Sequence, residues 1–98
     1  MSETDASTTT DLRLKTPSMW RVLLHNDDFT PMDFVVAILI RIFGKDPDEA
    51  ARLMMMVHEK GRAQVGVFTK EIAETKALQV RATAERYQHP LIATAEEA

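Results

Sequence analysis

Apolar positions along this chain come in blocks whose spacing alternates between strand-like and helical. Met19-Trp20-Arg21-Val22-Leu23-Leu24 is rich in β-forming residues and closes on Asn26-Asp27-Asp28, so it reads as a strand followed by a loop. Thr30-Pro31, ahead of the apolar run from Phe34 to Ile40, predicts a helix start, with Thr30 as N-cap, Pro31 at the first helical position and Asp33 in the first turn. This helix should cover about 31–43 and stop at Gly44, a residue suited to the left-handed position past a helix end. Asp46-Pro47 repeats the start signal, and Gly61 the stop, for a second helix over about 47–60.

Residues 63–69, Ala-Gln-Val-Gly-Val-Phe-Thr, predict a second strand. Thr69 is the expected N-cap of a third helix over about 70–87, where Ile72, Ala73, Ala77, Val80, Ala84 and Tyr87 recur at helical spacing. His89-Pro90 breaks it, and Leu91-Ile92-Ala93-Thr94-Ala95 predicts a last strand. The order β-α-α-β-α-β predicts an α+β domain over residues 18–98, with three helices packed on a three-stranded sheet. The three glycines are expected at element boundaries, so no Gly-rich phosphate loop is foreseen. Residues 1–17 are dominated by Ser, Thr, Asp and Glu and bury too little apolar surface to offset ordering, which predicts a flexible tail.

Composition narrows the chemistry. A chain of 98 residues holds one domain. It has no Cys, which removes disulfides, thiolate nucleophiles and Cys-based zinc sites. The net charge is -3 with scattered basic residues, which argues against nucleic acid as a partner. No signal-peptide pattern is visible, and the longest apolar run is far below the ~20 residues of a membrane span. Six methionines, three of them consecutive at Met54-Met55-Met56, stand out.

Two constellations could carry function. In Asn26-Asp27-Asp28, paired carboxylates could serve as acid and base, bind a cation, or simply shape a turn; no calcium-loop spacing follows them. In the second helix, Met54, Val57 and His58 share a face. His58-Glu59-Lys60-Gly61-Arg62 opens like a zinc-protease motif but has Arg62 where a second His is required. Every serine lies in or beside the first 18 residues, so no nucleophile elbow is present. Neither a catalytic set nor a cofactor or metal set emerges. What remains is a loop of hydrogen-bond acceptors and an apolar helix face with one His, a pairing suited to a free amine attached to a large side chain. Periodicity alone does not bring the two together.

The blocks Asn26 to Val35 (NDDFTPMDFV), Leu53 to Gly61 (LMMMVHEKG), Gly66 to Ala77 (GVFTKEIAETKA) and His89 to Thr94 (HPLIAT) resemble, in order, the signature blocks of the ClpS family of Clp protease adaptors. The resemblance implies the same β-α-α-β-α-β fold and no catalysis. It implies binding of proteins whose free first residue is Phe, Tyr, Trp or Leu (an N-degron), and their delivery to the Clp AAA+ unfoldase. By the same resemblance, Asn26, Asp27 and His58 hold the α-amine, Asp28 and Thr30 border the pocket, and Met32, Val35, Met54, Val57 and Leu91 wall it. Glu71 and Lys76 match the face that docks the unfoldase N-terminal domain, and residues 1–17 the extension used in delivery.

Three features depart from the family pattern. Phe29 stands where many relatives carry Tyr, Val65 and Ala93 replace Cys found in some, and Ile38 is expected to reshape the pocket rim. A cytoplasmic monomer is the expected form. Two other readings of the residues stay open: a hydrolase using Asp27 or Asp28 with His58, and a generic protein-interaction domain without an amine pocket.

Overall fold

The computed structural model describes residues 18–98; the expected tail over 1–17 lies outside them. Strand β1 (Met19–His25) leads through helices α1 (Met32–Arg41) and α2 (Pro47–Lys60) to β2 (Arg62–Thr69), then through α3 (Lys70–Arg86) to β3 (Ile92–Glu97). The three strands form one antiparallel sheet in the order β2-β1-β3, with β1 central. The element order and the α+β class are those expected.

One sheet face carries the core. Val22 and Leu24 of β1, Ala63 and Val65 of β2 and Ala93 of β3 pack with Val35, Ile38 and Leu39 of α1, Leu53 and Val57 of α2, and Ala73, Ala77, Val80 and Ala84 of α3. The small residues of α3 let that helix lie close to the strands. Leu23 points the other way and is nevertheless buried. On its face Arg21 pairs with Glu96, 2.8 Å from Nε to Oε1, and His25 Nε2 lies 2.7 Å from Thr94 Oγ1. The Arg21–Glu96 pair, with the register continuing to Trp20–Glu97, accounts for β3 running on through Glu96 and Glu97, beyond the apolar stretch that predicted it.

Three local expectations need correcting. Thr30 does not cap α1: Pro31 occupies the N-cap, its carbonyl accepting from Phe34 and Val35 amides, because the Thr30 hydroxyl is donated to Asp27 instead. Thr69 holds the N-cap position of α3 but makes no side-chain cap bond. Gly66 lies inside β2 rather than at a boundary, next to a bulge where the register slips from Val22–Gly66 to Leu23–Gln64. A Cβ on Gly66 would sit 2.6 Å from the Phe68 ring, so the absent side chain makes room for it. By contrast Asp46 caps α2 as expected, accepting from the Glu49 amide at 2.9 Å, and Gly61 ends it with a φ of 87°.

Helix α3 ends with Gln88 at a φ of 62°, while the His89 amide bonds the Ala84 carbonyl at 2.8 Å. This is the left-handed closing position where Gly is favoured, and a side chain there is strained by roughly 1–2 kcal/mol. Relief of strain is partly offset by the extra unfolded-state freedom of glycine. Gln88→Gly should therefore stabilise the domain by about 0.5–1 kcal/mol, read as a higher midpoint in urea unfolding; a lower midpoint would contradict the assignment of strain.

Candidate functional site: an apolar pocket with polar acceptors at its mouth

Two hydrogen bonds at the junction of β1, α2 and β2 build the site. The Gly61 amide closes α2 on the Val57 carbonyl at 2.9 Å, and the Asn26 amide donates to the Gly61 carbonyl at 2.8 Å. The end of β1 is thereby fixed against the last turn of α2. Val57 of that turn faces inward and is 2% exposed, while His58, one residue on, faces solvent. The acceptor loop after β1 and the apolar face of α2 consequently meet.

Between them lies a pocket of about 230 Å³ lined by Asn26, Asp27, Asp28, Thr30, Met32, Val35, Met54, Val57 and His58. That is below the roughly 300–1,000 Å³ of sites for drug-sized ligands, and suits a single side chain. A narrow cleft lined by Val35, Val57 and Leu91, with His25, Asn26, Asp27 and Thr30, adjoins it. Every residue singled out for the amine, wall and rim thus borders one of two adjoining cavities. Val35, Val57 and Leu91 form a buried floor, Met54 is half-buried, and Met32 is 45% exposed at the rim. His25 borders the inner cleft and was not foreseen; strand alternation alone gives no sign of it. Ile38 does not reshape the rim as expected: it is a buried core residue and lines neither cavity. Val65 and Ala93 are likewise buried packing positions.

Asp27 differs from its neighbours. One carboxylate oxygen accepts from the Phe29 amide at 2.8 Å and the Thr30 amide at 2.7 Å, and the other from the Thr30 hydroxyl at 2.8 Å. Partial burial pushes its pKa up. The bonds from the Thr30 amide and hydroxyl and the Phe29 amide, with the nearby charge of His89, outweigh that and hold it below the ordinary Asp value. Asp27 therefore fixes the loop as well as facing the pocket. The side chains of Asn26, Asp28 and His58 are exposed and make no hydrogen bond to another described residue.

The remaining pair lies elsewhere. Glu71 is exposed in the first turn of α3. Lys76, one turn further along, is half-buried, and its ammonium donates to the Ile42 carbonyl at 2.8 Å, tying α3 to the end of α1. Among the described residues no group of three His, Asp or Glu side chains is placed to hold a metal, and no helix is long and apolar enough to cross a membrane.

Fold and pocket together define a small α+β recognition domain. Comparison with known proteins makes this specific. The family model for the ATP-dependent Clp protease adaptor protein ClpS matches residues 15–94. The ClpS adapter of Maricaulis maris is 53% identical over 94 residues, covering 96% of this chain and 86% of its own. That of Nitratidesulfovibrio vulgaris is 56% identical over 84 residues, covering 86% of this chain and 84% of its own. Agrobacterium tumefaciens ClpS2, solved bound to L-phenylalaninamide, superimposes with a TM-score of 0.83 at 37% identity, covering 85% of this chain and all of that one. The chain belongs to the ClpS family of Clp protease adaptors.

The lowered pKa of Asp27 gives the loop a pH signature. A carboxylate whose folded value lies below its unfolded value of about 3.9 stabilises fully above that range, and the contribution is lost as pH falls through the folded value. Urea unfolding of wild type and Asp27→Asn should show the variant about 1 kcal/mol less stable at pH 7, charge-assisted bonds being discounted for solvent screening. The difference should shrink below roughly pH 4. An equal difference at pH 7 and pH 3 would contradict a role for the ionised carboxylate.

Proposed function

We propose that the pocket takes the first residue of a protein with a free amino terminus, Phe, Tyr, Trp or Leu, and that the domain delivers such proteins to the Clp AAA+ unfoldase for degradation. One observation carries this reading. A cavity sized for one side chain, floored by Val35 and Val57, is also lined by Asn26, Asp28 and His58, whose exposed side chains make no hydrogen bond to another described residue. An α-ammonium needs acceptors, the side chain beside it needs an apolar wall, and here both lie within a single pocket. L-phenylalaninamide, the ligand of the Agrobacterium relative, is a single residue with a free α-amine and a large apolar side chain.

The polar groups have distinct tasks in this mechanism. Asn26 and His58 accept from the ammonium. Asp27 holds the loop and adds negative potential. Asp28 and Thr30 border the path of the ligand backbone. Burying a Phe or Leu side chain contributes roughly 1.5–3 kcal/mol, and methionine at positions 32 and 54 adapts to flat rings and branched aliphatics alike. A β-branched first residue is stiff at χ1 and meets Met32 at the rim, which disfavours it. The α3 face with Glu71 and Lys76 is the proposed contact for the unfoldase N-terminal domain, the adaptor acting as a cytoplasmic monomer. There the bond from Lys76 to Ile42 would set the shape of the docking surface.

Titration with short peptides that differ only in their first residue tests the reading. Peptides beginning with Phe, Tyr, Trp or Leu should bind, and those beginning with Ile more weakly. N-acetylation removes the charge and its donors, and should abolish measurable binding of the Phe peptide. Asn26→Ala and His58→Ala should each weaken the free Phe peptide roughly 10- to 100-fold, the loss of one hydrogen bond to a charged group. Their melting temperatures should be unchanged, because both side chains are exposed. Equal affinity for the acetylated peptide would overturn the proposal.

A further inference from the structure

Phe29 is the most exposed large apolar side chain among the described residues, at 79%. A lone exposed ring is common and would by itself mean little. Its setting is what distinguishes it. It lies between Asp28 and Thr30, both of which line the pocket, yet its own ring does not enter the cavity. Its amide is fixed on Asp27 Oδ1 at 2.8 Å and the next amide on the same oxygen at 2.7 Å, so the ring stands on a braced loop. Asp28 beside it is exposed and makes no hydrogen bond to a described residue.

Asn26 and His58 line the pocket together with Asp28, Thr30 and Met32, the residues on either side of Phe29 in the loop that leads into α1. A chain whose first side chain filled the cavity, with its ammonium at Asn26 and His58, would bring its second residue to the rim, within the neighbourhood of the Asp28–Thr30 loop. Resting on the amine-pocket reading above, we infer that Phe29 and Asp28 read the second residue of the bound chain and favour arginine there. The planar guanidinium stacks on the ring face while the Asp28 carboxylate accepts its N–H groups, and the aliphatic stem covers the ring edge. A glutamate in the same place would face Asp28 and the negative potential of Asp27.

The test uses the full chain and peptides that begin Phe-Arg, Phe-Gln and Phe-Glu and are otherwise identical, titrated calorimetrically at low salt. Wild type should bind in the order Arg, Gln, Glu. Phe29→Ala should weaken the Phe-Arg peptide roughly two- to fivefold, the size of an exposed cation–π contact, and leave Phe-Gln within error. Phe29→Leu, which keeps apolar area but no ring, should lose as much as Phe29→Ala, and Phe29→Trp should retain wild-type preference. Uniform weakening of all three peptides, or of none, would overturn the assignment. So would a Phe29→Ala variant that binds every peptide normally but no longer binds the Clp unfoldase, since the ring would then be a partner contact. If wild type binds none of the free-amine peptides, the amine pocket fails and this inference with it; normal Phe-Gln binding with no Arg preference sinks the inference alone.

Discussion

The backbone hydrogen bond from the Asn26 amide to the Gly61 carbonyl, which continues the β1–β2 pairing, ties the two halves of the site together. It depends on the left-handed turn at Gly61, which ends α2 and sends the chain into β2 beside β1. Without that turn the last residues of α2 would not lie against the end of the central strand. With it, one helical turn presents Val57 to the core and His58 to the mouth, while Asn26 is fixed opposite them. The sheet thus acts as a jig: its register places an acceptor loop and an apolar helix face within reach of one small ligand.

The acidic loop shows a division of labour that residue identity alone conceals. Asp27 and Asp28 are neighbours of the same type, yet the carboxylate of Asp27 is committed to the Phe29 and Thr30 amides and the Thr30 hydroxyl. Asp28 remains exposed. A loop braced by one of its own side chains can present other side chains with little loss of freedom on binding, which favours recognition of a small feature such as a chain terminus. The same bracing takes the Thr30 hydroxyl away from helix capping, so α1 starts at Pro31 without a side-chain cap.

Much of the architecture was legible because its signals are local. Asp46-Pro47 and Gly61 mark the ends of α2, and the repeat of Ala73, Ala77, Val80 and Ala84 marks the buried face of α3. The errors fell where a distant partner decides the outcome. Thr30 looked like a cap because Asp27 could not be placed in sequence, and β3 outran its apolar stretch because Glu96 meets Arg21 across the sheet. The resemblance assigned Lys76 only to a docking face, and nothing in the sequence showed that its ammonium reaches the Ile42 carbonyl 34 positions away. For the site, residue types and spacing suggested an amine ligand but could not join the loop to α2. That juxtaposition is a product of strand register, and until the fold was known only the likeness to ClpS proteins implied it.

The central claim is a place: a free α-amine is held where Asn26 and His58 share one mouth. Chemical-shift mapping of the ¹⁵N-labelled protein with L-phenylalaninamide tests it most directly. The account predicts shifts concentrated on Asn26, Asp28, Thr30, Met32, Val57 and His58, and none on adding the N-acetylated compound at the same concentration. Perturbations centred instead on the groove between α3 and β3, around Leu78 and Arg81, or an identical response to the acetylated compound, would contradict it.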